Sequence, residues 1–86
     1  MTNNQLTNEE LTLLHSIVIG GVDFKEGWLH ELSPPGWPNT KVSATLNGLV
    51  SRGLVDTRFD EEFLTPWISI TDRGILWHKR AILKRN

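Results

Sequence analysis

The chain contains no cysteine, which excludes disulfide staples, thiolate metal sites and cysteine nucleophiles. It has no stretch approaching the ~18 apolar residues of a membrane span. Its start, Met1-Thr2-Asn3-Asn4-Gln5-Leu6-Thr7, shows neither the basic segment nor the apolar run of a secretory signal. A cytoplasmic protein without a membrane partner is the expectation. Phosphate-cradling glycine motifs are missing too, because no Gly-Lys-Ser/Thr follows Gly20-Gly21. His15, His30 and His78 fall on separate predicted helices and lack the His-x-x-x-His spacing of a metal pair. Glu9-Glu10 opens a predicted helix and Glu61-Glu62 lies in a predicted turn, where water keeps both pairs ionised. No enzymatic activity, cofactor or metal is expected.

What remains is a chain of 86 residues, 38% apolar and 22% charged, too rich in Leu, Ile, Val and Trp for intrinsic disorder. Its length predicts one domain over 1–86, with residues 1–6 flexible and a core burying roughly 60–65% of the unfolded surface. The core looks too small and too fully used to hold a pocket of several hundred Å³, roughly what a small-molecule sensor needs. Net charge is −1, but the charge is divided along the chain: residues 1–71 carry four Lys/Arg against nine Asp/Glu, and residues 72–86 carry five against Asp72 alone. A polyanion would be drawn to the C-terminal end.

Thr7-Asn8-Glu9-Glu10 has the capping-box form and predicts a helix start. Leu11, Leu14 and Val18 continue it as an apolar stripe, and Gly20-Gly21 ends it. Asp23 is expected to open a second helix with Phe24, Trp28, Leu29 and Leu32 inward, slightly weakened by Gly27. The prolines of Ser33-Pro34-Pro35-Gly36-Trp37-Pro38 enforce a stiff loop. Asn39 or Thr40 then caps a third helix whose Val42, Leu46, Leu49 and Val50 face inward, and Gly53 ends it. Leu54–Phe59 and Trp67–Thr71 read as two strands joined by a turn over Asp60–Pro66. Thr71 or Asp72 caps a last helix to about Lys84, with Ile75, Leu76, Ile82 and Leu83 over the core, and Lys84 and Arg85 suiting its C-terminal dipole. The expected class is therefore α+β, mainly helical: a winged helix-turn-helix of three helices, a two-stranded hairpin wing and a C-terminal helix.

Val42-Ser43-Ala44-Thr45-Leu46-Asn47-Gly48-Leu49-Val50-Ser51-Arg52-Gly53-Leu54-Val55 resembles the recognition helix and first wing strand of MarR-like and PadR-like bacterial regulators. Ile68-Ser69-Ile70-Thr71-Asp72-Arg73-Gly74 is similar to their strand-to-helix junction after the wing, and the resemblance spans roughly residues 7–83. It implies a DNA-binding transcriptional regulator that reads the major groove with helix 40–52. The long extra helices through which MarR-like dimers form are absent from this sequence.

On that helix, Asn47 suits a bidentate contact to adenine, Ala44 a thymine methyl, and Thr40, Lys41 and Arg52 phosphates, with Ser51 on the same polar face. The alternative is that these are simply solvated polar residues. Gly48 costs about 1 kcal/mol relative to Ala in a helix interior, which points to a close approach there. Arg58 on the first wing strand reaches DNA or pairs with Asp56 or Asp60. Lys79, Arg80, Lys84 and Arg85 form either a phosphate patch or a solvated helix end. A homodimer through the first or last helix would double the positive contacts and match a palindromic site.

Trp28 is expected in the core and Trp67 against the helices. Trp37 caps the core or stands out as a binding knob, and Trp77 anchors a partner chain or is buried. A second reading keeps the fold and changes the use: Asp60, Glu61 and Glu62 make the wing acidic, which suits a protein-interaction adaptor that does not bind DNA.

Overall fold

The computed structural model describes residues 6–23, 25–62 and 65–84, the side chains of residues 60 and 82–84 excepted. Helix α1 spans Asn8–Gly20, strand β1 Glu26–Trp28, helix α2 Leu29–Leu32, helix α3 Asn39–Ser51, strands β2 and β3 Val55–Asp60 and Thr65–Ile70, and helix α4 Asp72–Lys84. The strands form one antiparallel sheet in the order β1-β3-β2. This is a small α+β fold with four helices and three strands among the described residues.

α1 begins as its sequence dictates. The Glu10 N–H donates to Thr7 Oγ1 at 3.1 Å, and Glu10 Oε1 accepts from the Thr7 N–H at 2.9 Å, so two orphan amides of the first turn are satisfied reciprocally. Leu13, Leu14 and Ile17 are fully buried and Val18 is half-buried against them. Leu6, expected to be flexible, also packs against the core.

The second helix departs most from expectation. Asp23 takes a left-handed conformation (φ 57°) in a turn, which short polar side chains tolerate, and the chain then runs extended as β1 instead of coiling. Glu26, Gly27 and Trp28 pair with Ser69, Ile68 and Trp67 of β3. The sheet therefore has three strands where two were expected, and helix remains only over Leu29–Leu32. Gly27 suits this buried position because a Cβ there would come within 3.3 Å of the Leu32 side chain. The expected inward role of Phe24 lies outside the described residues.

α3 starts at Asn39 with Pro38 as the N-cap residue, so neither Asn39 nor Thr40 serves as the expected cap. Val42, Leu46 and Leu49 are buried, but Val50, expected inward, is 40% exposed, and Thr45 is buried in its place. Val50 sits at the margin of the apolar arc. Thr45 tolerates burial because its hydroxyl donates to the Lys41 carbonyl at 2.7 Å. Gly53 ends the helix at φ 74°, where a side chain would be strained.

In the hairpin β3 starts earlier than expected, at Thr65, and Pro66 pairs with Phe59. Leu54, Val55, Ile68 and Ile70 close the core from the sheet side. Thr71 caps α4, accepting the Gly74 N–H at 3.0 Å and donating to the Gly53 carbonyl at 2.8 Å. Ile75 packs on the core, whereas Leu76 is 49% exposed, against expectation. The inward stripe of α4 runs through Gly74, Ile75 and His78, and Leu76 falls away from it. The expected core roles of Ile82 and Leu83 lie outside the described side chains. No helix among the described residues is long and apolar enough to cross a membrane.

Candidate nucleic-acid interface

Thr40, Ala44, Asn47 and Ser51 recur at three- and four-residue spacing along α3, directly opposite Val42, Leu46 and Leu49, and all four are exposed. The side chains of Thr40, Asn47 and Ser51 have no hydrogen-bond partner among the described residues. The result is a narrow polar stripe of small side chains along the outside of the helix.

The cations flanking the stripe are not free side chains. Lys41 Nζ lies 4.3 Å from the Trp37 ring centroid, a cation–π contact. Trp37 itself is half-buried and packs against the core, so the same side chain covers the interior and holds the ammonium. Arg52 turns toward α1, where its Nε donates to Glu10 Oε2 at 3.2 Å, with its side chain 29% and that of Glu10 10% exposed. The close approach suggested by Gly48 is real but intramolecular: a Cβ at that position would collide with the Glu10 carboxylate.

Arg58 lies exposed on the outer face of the sheet, paired with Trp67 of β3. Among the described residues it has no ion pair, with Asp56 or otherwise. Trp67 meets Trp28 edge to face at 4.7 Å between centroids and donates its indole N–H to Glu26 Oε1 at 2.8 Å. Both rings are half-buried on the solvent side of the sheet, not inside the core as expected for Trp28. Trp77 is half-buried and lines a cleft of about 240 Å³ with Leu6, Ser51, Arg52, Leu54 and Arg73. The structure thus brings Thr40, Ala44, Asn47 and Ser51 together and leaves Arg58 on another surface. Lys79 and Arg80 are exposed on α4, while the basic side chains at residues 84 and 85 lie outside the described ones.

One side-chain pair has no counterpart in the sequence reading. His15 Nδ1 and His78 Nε2 lie 2.8 Å apart, with ring planes inclined by 19° and centroids 5.1 Å apart. That centroid separation equals the N···N distance plus one ring radius at each end, so the rings meet end-on in a linear hydrogen bond and do not overlap face to face. One ring donates and the other accepts. Burial pushes the His78 pKa below the ordinary histidine value, and the neighbouring His15 charge lowers it further. Two lone pairs aimed at a common ion would converge at an angle, and no group of three or more metal-ligating side chains occurs among the described residues.

Compared with known proteins, the chain matches no family model, no curated protein and no solved structure.

Proposed function

We propose that the element order α1-β1-α2-α3-β2-β3, with the sheet order β1-β3-β2, is a winged helix-turn-helix, and that it serves to bind double-stranded DNA as a transcriptional regulator. The observation carrying this reading is the exposed, unpartnered stripe Thr40-Ala44-Asn47-Ser51 on α3. Its small side chains let the helix backbone approach base edges, Asn47 matches the donor–acceptor pattern of adenine, and Ala44 matches a thymine methyl. Lys41 sits at the amino-terminal end of the same helix, where a phosphate contact would orient the protein without reading sequence.

Selection from pooled random duplexes at low salt tests the proposal. Enrichment of a defined site supports it, and recovery of an unselected pool overturns it. The exposed Glu61 on the acidic hairpin supports the competing adaptor reading, in which a protein partner meets the wing and DNA is not bound.

A further inference from the structure

The cleft of about 240 Å³ beside Trp77 lies between the end of α3 and the first turn of α4, and Ser51, Arg52, Leu54 and Arg73 line it together with Leu6. Two guanidinium groups and no carboxylate meet there among the described residues, although the chain as a whole carries a net charge of −1. Asp72, next to Arg73 in sequence, does not line it.

The backbone on either side of Arg73 is fixed. Before it, Thr71 donates its hydroxyl to the Gly53 carbonyl at 2.8 Å and its N–H to the Leu54 carbonyl at 3.0 Å. After it, Gly74 lies flush against Leu54, and a Cβ there would collide with the Leu54 carbonyl. The start of α4 is thus locked to the end of α3, and Arg73 stands between the two anchors. Because the Gly74 N–H is already taken by the Thr71 hydroxyl, the positive charge offered to the cleft is that of side chains.

The two arginines contribute differently. The Arg52 Nε donates to Glu10, so its charge is matched by a carboxylate. Arg73 is exposed and has no ion pair or hydrogen bond among the described residues. Leu6, Leu54 and Trp77 give the cleft apolar walls, and low-dielectric walls strengthen the field of an uncompensated charge. The Ser51 hydroxyl adds a hydrogen-bond donor at the rim. A guanidinium beside a hydroxyl is a donor set that matches the oxygens of a phosphate.

Ser51 also belongs to the exposed stripe of α3, so the cleft opens at the carboxy-terminal end of that stripe. Lys41 and Ser51 are ten residues apart, which is about 15 Å along a helix, and the major groove is about 12 Å wide. A helix laid across the groove brings Lys41 to one bounding phosphate strand and the cleft to the other.

We propose that this cleft is a phosphate site in which Arg73 holds the anion, and that the phosphate it takes is a backbone phosphodiester of the duplex. The site stands on the cleft itself, whereas the duplex as the source of the phosphate rests on the DNA-binding reading.

Two titrations of the isotope-labelled full chain separate site from source. Both follow the Trp77 indole N–H resonance, identified by its absence in Trp77→Phe. Inorganic phosphate is expected to shift it at constant ionic strength where chloride does not, and Arg73→Gln should abolish the shift while Arg73→Lys keeps part of it. With duplex DNA, Arg73→Gln should weaken binding several-fold on every sequence and lower the salt slope by about 0.9, with base preference unchanged. A shift by phosphate that depends on Arg73, without any duplex binding, keeps the site with free phosphate as its ligand and overturns the DNA-binding reading. A duplex bound with the same affinity and salt slope by the wild type and Arg73→Gln overturns the proposal and leaves that reading intact. Silence of Trp77 toward both probes overturns the site, as does a phosphate shift that survives Arg73→Gln. Should Arg73→Gln lose its cooperative melting transition, Arg73→Met, which keeps an apolar stem, takes its place in both titrations.

Discussion

Arg52 Nε sits 3.2 Å from Glu10 Oε2 and ties the end of α3 to the first turn of α1. The same carboxylate uses its other oxygen to accept the Thr7 N–H at 2.9 Å. One side chain, 10% exposed, thus caps a helix and fixes how a second helix lies across it.

Replacing Glu10 with Ala should lower unfolding free energy by about 1–2 kcal/mol, the worth of a cap and a charged hydrogen bond. Gly48→Ala in the wild type should also destabilise, because its Cβ meets this carboxylate. In the Glu10→Ala background the same change should instead stabilise by up to about 1 kcal/mol through helix propensity. Urea denaturation of the four-member cycle checks the change of sign.

The His15–His78 pair predicts acid sensitivity. The His78 pKa is lowered in the folded chain by burial first and by His15 second, so the unfolded chain binds more protons below its unfolded value of about 6.5. Stability is full above that value and falls as pH drops toward the lower folded value. Melting midpoints between about pH 8 and pH 5.5 should decline for the wild type. The decline should be shallower for His78→Gln, and an equal slope in both would remove the histidine from the account.

Core assignments on α3 are tested by two neighbouring truncations. Leu49 is fully buried and Val50 is 40% exposed. Leu49→Ala should cost about 2–5 kcal/mol, whereas Val50→Ala should cost under about 1 kcal/mol. Thermal or urea unfolding distinguishes them directly.

If α3 reads DNA, Asn47→Ala should relax base preference at one position at a cost of about 1–3 kcal/mol. Lys41→Ala should weaken binding to all sequences alike and reduce the salt slope by about one. Changing Glu61 and Glu62 to Lys should strengthen DNA binding under this reading, and should abolish capture of a protein partner under the adaptor reading. Gel-shift titrations at several salt concentrations separate these outcomes.

Legibility in the sequence followed the range of the interaction. The capping box at Thr7–Glu10 and the Thr71 cap of α4 are local patterns and were readable. So was α3, whose 3.6-residue period spans thirteen residues. β1 was not, because three residues cannot display a period of two and the strand exists through its pairing with β3. Glu10 and Arg52 are 42 positions apart, so their pairing depends on how the helices cross, and Gly48 could be flagged as unusual without revealing what approaches it. On α4 a buried histidine took a place that hydropathy would have given to Leu76. The exposed stripe of α3 was legible as far as Thr40, Ala44, Asn47 and Ser51, whereas the orientations of Lys41 and Arg52 depended on Trp37 and Glu10.

Pro66 lies in the central strand, although it has no N–H to give to a ladder. The Ile70 N–H donates to the Lys25 carbonyl at 2.8 Å, and stepping along the β1–β3 register past Ile68 opposite Gly27 brings Pro66 opposite Leu29 at the following position that would need such a donor. The Leu29 carbonyl instead accepts the Ser33 N–H at 2.9 Å and the Ser33 hydroxyl at 2.7 Å. An imino acid in one segment thereby sets the length of another: extended pairing stops at Trp28, and the chain is released into the helical turn that leads toward α3.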